Sequence, residues 1–440
     1  MKMRFLSLSL LIFIISSPAK SQVFFGLKDC IATGLENNFS ILIARNNETI
    51  AKNNFTPGNA GYLPSLDLTG RYNGTLNNTT QNHSDNTQST SNGIHNTTTS
   101  AGVGLGWTIF EGFNVRTTYQ KLDELKQLGT LNTQLTIENL VADLISGYYY
   151  YILQGQLLNN LRYAAELSRE RLRIDEERYL LGSSSKLEVL QSRVYLNADS
   201  SNLSKQFEVV RAAQIRLNEM MALEDMATQF VTQDTSIDLR PQILYEKLFD
   251  ETMSKNTSLA IALKNKDISE KDYKLVVSRS YPYLDLSSGY SYNYNTYSSG
   301  LNKSQVTNGM NYGLTFGVNI FDGFNQRRSI RNASIDIENR ELRYKEIEQG
   351  VKADLITIHS GYTNNQRLIT LEDQNLVTAT ENLAIALERY RLGSLSGIDL
   401  REVQKSLLDA TERLISVHYQ TKLAEISLML ISGNIMEYYR

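Results

Sequence analysis

The 440-residue sequence predicts an α+β membrane protein made of two tandem copies of one unit, each joining two amphipathic strands to long coiled-coil helices. Three observations predict it. A block of sequence recurs at a fixed offset, and four segments of about ten residues alternate apolar with polar side chains. Only five prolines occur, at 18, 57, 64, 241 and 282, so helices can run uninterrupted over unusual lengths.

The repeat comes first. Trp107-Thr108-Ile109-Phe110-Glu111-Gly112-Phe113-Asn114 returns as Val318-Asn319-Ile320-Phe321-Asp322-Gly323-Phe324-Asn325, an offset of 211. The same offset carries Arg178-Tyr179-Leu180-Leu181-Gly182-Ser183 onto Arg389-Tyr390-Arg391-Leu392-Gly393-Ser394, so the stretch between the motifs keeps its length in both copies. Upstream, Leu63-Pro64-Ser65-Leu66-Asp67-Leu68 matches Tyr281-Pro282-Tyr283-Leu284-Asp285-Leu286 at 218. The seven extra residues of copy one therefore fall elsewhere than in the helices, between the strands. In copy one that interval holds Asn77 to Ser100, rich in Asn, Thr and Ser, which reads as an exposed loop.

Each copy reads as helix, hairpin, long helix, second long helix. Copy one spans 22–223, with strands near 63–75 and 101–111 and helices near 113–181 and 185–222. Copy two spans 242–440, with strands near 283–295 and 310–321 and helices near 324–392 and 397–432. Residues 224–241 read as a polar linker.

The strands show period two. Tyr312, Leu314, Phe316, Val318 and Ile320 alternate with Gly313, Thr315, Gly317 and Asn319, and Val103, Leu105, Trp107 and Ile109 alternate with Gly102, Gly104, Gly106 and Thr108. Their length suits tilted strands crossing an outer membrane, with aromatic side chains at the ends forming interfacial girdles. Four strands cannot close a barrel, and open edges in hydrocarbon leave backbone groups unpaired, so closure is expected between chains. Three chains would give a trimeric 12-stranded β-barrel with room for a lumen, where two would give a filled eight-stranded one.

The stretches 113–181 and 324–392 contain no proline, and 69 helical residues extend roughly 100 Å. Gly129, Gly147 and Gly155 mark points where the first could be irregular. Leu158, Ala165, Leu172 and Tyr179 step by seven, as do their counterparts Ile369, Leu376, Leu383 and Tyr390, and Val189, Leu196, Leu203, Val210 and Leu217 follow suit. This is coiled-coil spacing. The Tyr148–Tyr151 run reads as helix packing, against a neighbouring subunit in one version.

At the N-terminus, Met1-Lys2-Met3-Arg4, an apolar run from Phe5 to Ile15 and Ser16-Ser17-Pro18-Ala19-Lys20-Ser21 follow the order of a secretory signal, with cleavage expected after Ser21. Its loss removes three cations and moves the net charge from −3 to about −6, which disfavours nucleic acid as a partner. No later run of apolar residues reaches the eighteen needed for a spanning helix. The lone Cys30 cannot form an internal disulfide and lacks the small preceding residue of a lipidated cysteine, so a buried, inert thiol is expected.

The motifs Arg178-Tyr-Leu-Leu-Gly182-Ser-Ser-Ser-Lys-Leu-Glu188-Val-Leu-Gln191 and Arg389-Tyr-Arg-Leu-Gly393-Ser-Leu-Ser-Gly-Ile-Asp399-Leu-Arg-Glu402 join the long helices. Each places a glycine where a C′ residue ends one helix and serines where the next is capped. These paired Tyr-x-x-Gly turns, each followed by an acid, resemble those of the TolC-like outer-membrane efflux proteins over nearly the whole mature chain. The resemblance implies a homotrimer whose barrel continues into a periplasmic α-barrel of coiled-coil helices, with these turns at the periplasmic mouth. It implies an acidic aperture built from Asp399 and Glu402, with Glu188 and Gln191 as the copy-one counterparts, where only the first acid is kept. It further implies docking of a periplasmic membrane-fusion adaptor around Gly182, Ser183, Gly393 and Ser394, and an inner-membrane pump of the RND or ABC type. From spacing alone, Asp399 and Glu402 also read as first-turn acids favourable to a helix dipole.

Four histidines, at 83, 95, 359 and 418, lack metal-ligand spacing, and no phosphate loop or nucleophile-base arrangement appears. The sequence therefore predicts no enzyme and no cofactor. Three readings stand at this point: a passive exit duct for small molecules in an efflux system, a duct for type I protein secretion, and a non-channel coiled-coil envelope protein. The strands favour the first two over the third.

Overall fold

The computed structural model describes residues 23–240, 243–299 and 302–439. The signal read over residues 1–21 lies outside them. The elements run β1 (Val23–Phe25), α1 (Leu27–Asn37), α2 (Phe39–Asn54), α3 (Pro57–Ala60), β2 (Ser65–Asn82), β3 (Gln88–Glu111), α4 (Asn114–Leu180), α5 (Lys186–Met220), β4 (Phe230–Thr232), α6 (Tyr245–Lys255), α7 (Thr257–Ser278), β5 (Tyr283–Thr296), β6 (Ser304–Gly317), α8 (Asn325–Arg391), α9 (Gly397–Ile431) and a closing 3-10 turn (Ile435–Tyr438).

The four long strands form one antiparallel sheet in the order β2-β3-β5-β6, so β2 and β6 are free edges. Below it, α4 is flanked by α2 and α7, and α8 packs on α7. Farther down, α4 pairs with α5 and α8 with α9, while α4 and α9 join the two copies. At 67 residues each, α4 and α8 extend roughly 100 Å.

The recurring Gly-Phe pair turns strand into helix. Gly112 and Phe113 take φ of +55° and +67°, and Gly323 and Phe324 take +71° and +64°. A Cβ on Gly112 would meet the Ser278 carbonyl oxygen at 2.2 Å, so only glycine fits. Left-handed backbone is costly for phenylalanine. Edge-on stacking of Phe110 with Phe113 and of Phe321 with Phe324, both at 5.4 Å, offsets that cost and explains the motif's aromatic residues.

Several sequence expectations need correction. The segment Asn77 to Ser100 is not a loop. Strand pairing runs out to Asn82 opposite Gln88, leaving only residues 83–87 as a turn, so both copy-one strands exceed their expected bounds. Thr79, Thr80 and Thr90 belong to the β-branched class that suits a ladder, and antiparallel pairing satisfies the backbone whatever the polarity of the side chains. The hairpin stands nine residues (88–96) beyond the end of the β3–β5 pairing at Thr97. Conversely β6 stops at Gly317, opposite the first residue of β5, so Val318 to Phe321 have no strand to pair with in this chain.

The linker is more than a polar connection. Within it, β4 pairs in parallel with β1 (Phe25 with Thr232), and Phe230 and Ile237 are buried. Tyr148 and Tyr149 are buried inside the chain rather than at a subunit contact, and the Tyr148 hydroxyl donates to Asp234 at 2.8 Å, pinning the linker to α4. The glycines of α4 do not interrupt it. A Cβ on Gly147 would meet Met220 Cε at 2.4 Å and one on Gly129 would meet Ala51 at 3.1 Å, so these two admit crossing helices.

The main core lies at this level, around Cys30, Ile31, Val141, Leu144, Ile145, Tyr148 and Leu217. Burial, helped by the neighbouring Asp29 charge, pushes the Cys30 thiol up to about 12. The reactive thiolate is therefore scarce at neutral pH. Maleimide should leave the native protein unlabelled at pH 7 and label it fully after denaturation, and rapid native labelling would contradict this packing.

Candidate functional site

The lower ends of the two helical hairpins form the site. Helix α4 ends with Gly182 at φ +76°, where the Ser183 N–H donates to the Arg178 carbonyl at 2.9 Å, and α8 ends alike, with Gly393 at +75° and Ser394 donating to Arg389 at 2.9 Å. Next, Ser185 caps α5 by accepting from the Glu188 N–H at 3.3 Å, and Ser396 caps α9 by accepting from the Asp399 N–H at 3.1 Å.

These caps engage two of the four aperture residues. The Glu188 carboxylate accepts from the Ser184 hydroxyl and from the Ser185 N–H at 3.1 Å, bonds that hold it below the usual carboxylate range. Asp399 accepts from the Ser396 hydroxyl at 2.7 Å. Glu402 and Gln191 are exposed and make no side-chain hydrogen bond or ion pair among the described residues. Glu402 is thus the acid of the motif left free to face solvent. The two turns lie side by side, because the Arg178 guanidinium sits 5.5 Å from the Tyr390 ring centroid and a Cβ on Gly393 would come within 3.4 Å of Arg178.

One turn above, the structure assembles a buried polar network that sequence reasoning missed. Asp175 of α4 accepts from the Tyr390 hydroxyl of α8 and from Ser192 of α5. Burial and the Asp175 carboxylate push the Tyr390 phenol up to about 12, so it stays protonated and donating at neutral pH. Asp199 of α5 accepts from Ser168 and takes a two-pronged bond from Arg401 of α9, at 2.7 and 2.8 Å. Arg171 and Arg401 stack on Tyr195 at 5.0 and 5.2 Å. Beside them, Leu383, Ala386, Leu400 and Leu407 form an apolar cluster with Ile174. Two carboxylates of copy one therefore hold a tyrosine and an arginine of copy two.

The network is incompletely satisfied. Nε and Nη1 of buried Arg171 and both side-chain polar atoms of fully buried Gln404 lack hydrogen-bond partners. Asymmetry is built in as well: Tyr179, the counterpart of Tyr390, is exposed, and Ala386 stands where Asp175 would recur. The sequence held one overlooked signal. Asp175 and Asp199 each fall three residues after a heptad leucine, Leu172 and Leu196, at seam positions where a coiled coil wants apolar side chains.

Comparison with known proteins agrees with this geometry. The family model described as outer membrane efflux protein matches residues 31–223 and 248–434. The outer membrane protein TolC of Vibrio cholerae is 20% identical over 421 residues, covering 91% of this chain and 89% of that protein. Among solved structures, the Campylobacter jejuni CmeC outer membrane channel superposes with a TM-score of 0.77 at 15% identity, covering 93% of this chain and 85% of its own. The outer membrane protein VceC of Vibrio cholerae gives 0.74 at 15%, covering 92% and 96%. These likenesses show the shared fold, and the family match covers most of the chain. The chain belongs to the outer membrane efflux protein family, whose members are channels rather than enzymes, and serves in the outer membrane, reaching into the periplasm, as the exit duct of an efflux system.

Proposed function

We propose that three copies close into one channel that acts as a passive duct for small molecules, supplied by a periplasmic adaptor and an inner-membrane pump of the RND or ABC type. The observation that carries this reading is the unsatisfied quasi-repeat. Inside the chain, α4 of copy one packs on α7 of copy two through Lys121 to Asp272 at 2.5 Å, Lys264 to Glu124 at 2.7 Å, and Thr257 donating to Glu138 at 2.8 Å. By the two offsets the equivalent pair is α8 with α2, which do not pack on each other within the chain. Their outer faces expose Phe39 (71%), Ile43 and Ile50 on one side and Ile335 and Leu342 on the other. Repeating the α4–α7 packing between chains buries these residues and brings the free edges of β2 and β6 together.

At the mouth, Asp399 and Glu402 of three chains supply six carboxylates around the aperture, with Glu188 and Gln191 between them. Gly182, Ser183, Gly393 and Ser394 present the turns to the adaptor. Rings of charge set ion preference in a pore. Replacing Asp399 and Glu402 by alanine should weaken cation preference in planar bilayers and raise conductance. An unchanged reversal potential in a salt gradient would remove the assignment.

The buried network above the mouth acts as the latch of the closed state. It joins the α8–α9 hairpin to α4 and α5, and the buried Arg171 and Gln404 atoms that lack hydrogen bonds make that state shallow, although Arg171 keeps an ion pair with Asp175 at 3.9 Å.

A further inference from the structure

Three arginines line one cleft of about 840 Å³ where the sheet meets α8: Arg279 at the end of α7, and Arg327 and Arg331 in the first two turns of α8. Ile320, Phe321 and Phe324 form its apolar wall, exposed at 92%, 72% and 67%. All three arginines are exposed, and none makes a side-chain hydrogen bond or ion pair among the described residues. Cations at a helix N-terminus stand at the unfavourable end of its dipole. Asp322 lines the same cleft, but its carboxylate caps α8 by accepting from the Gln326 N–H at 2.6 Å and pairs with none of the three arginines among the described residues, so their guanidinium groups stay open to a ligand anion.

The repeat fixes which way the cleft faces. Phe110, the counterpart of Phe321, pairs with Leu284 in the ladder, and Trp107 pairs with Leu286, which places Phe110 on the apolar, lipid-facing side of the sheet. Phe113 stacks on Phe110 and Phe324 stacks on Phe321, so the Phe321–Phe324 pair continues the lipid-facing surface downward. Arg327 and Arg331 follow Phe324 by three and seven residues, on the same helical stripe. A neighbouring chain leaves them accessible: their counterparts Arg116 and Gln120 stay exposed although α4 is flanked by both α2 and α7. Thr117, the counterpart of Arg328, is buried, so Arg328 is left out of the site.

We propose that Arg279, Arg327 and Arg331, beneath the Phe321–Phe324 pair, bind the phosphate of an anionic phospholipid in the periplasmic leaflet of the outer membrane, one site per chain. Guanidinium groups match phosphate oxygens in two-pronged bonds, aromatic rings settle at the headgroup level, and basic clefts at that depth hold anionic headgroups. The site rests on placement in the outer membrane and is independent of the aperture reading.

The test uses the assembled protein in nanodiscs of mixed phosphatidylethanolamine and phosphatidylglycerol, with native mass spectrometry counting retained lipids. The wild type should retain phosphatidylglycerol preferentially, and enrichment should fall about fivefold for each arginine changed to glutamine, while a triple lysine variant keeps most of it. Arg343→Gln, an exposed arginine already paired with Glu346, should change nothing. If the triple glutamine variant does not assemble, Arg327→Gln and Arg331→Gln alone carry the measurement. No preference in the wild type, undiminished preference in the glutamine variants, or an equal loss in Arg343→Gln would overturn the site.

Discussion

Replacing Asp199 by alanine together with Tyr390 by phenylalanine is expected to hold the channel open, raising its mean conductance while leaving the assembly intact. Asp199 is buried and accepts both prongs of Arg401, and removing one partner of such a pair costs about 3 kcal/mol because the other charge stays behind unpaired. Losing the Tyr390 hydroxyl takes one donor from buried Asp175, at about 1 kcal/mol or more. Together these, about 4 kcal/mol, shift a closed-to-open equilibrium by up to roughly a thousandfold. Both bonds cross from copy one to copy two near the turns, far along the helices from the core around Tyr148. Thermal unfolding of that core should therefore change little. Conductance that stays at the wild-type level in the double variant, with the trimer intact, would show that the network packs the helices without gating them.

The second large effect is on assembly. Phe39→Asp with Ile335→Asp should abolish the trimer and leave monomers that fail to insert. Burying each large apolar side chain is worth about 1.5 to 3 kcal/mol, and each interface loses one from either face. Burying a carboxylate in its place adds a desolvation cost of several kcal/mol. Light scattering on the detergent-solubilised protein reads the result directly. Persistence of trimers would mean that α2 and α8 do not meet.

The repeat and the long helices were legible in the sequence because their signals are local and periodic. Proline-free stretches, heptads and the Gly-Phe turn each specify a backbone shape within a few residues. The outer hairpin was not legible, since Asn, Thr and Ser belong to loop and strand alike and only pairing partners decide between them. Strand β4 is three residues long and defined by its partner near the N-terminus, more than 200 positions away. The capping serines and turn glycines of the mouth could be read from their motifs. The latch could not, because Asp175 meets Tyr390 across 215 positions and Asp199 meets Arg401 across 202, and nothing in either local sequence names the partner. What the sequence did carry was the cost side: two aspartates on a seam that favours leucine.

The most direct test of the central claim reconstitutes the purified mature chain in planar bilayers after its mass in detergent has been measured. The quasi-repeat predicts a trimer that dissociates only on heating and gives discrete, cation-preferring conductance steps. A stable monomer, or a trimer that inserts without conducting in wild-type and Asp199→Ala/Tyr390→Phe forms alike, would contradict it.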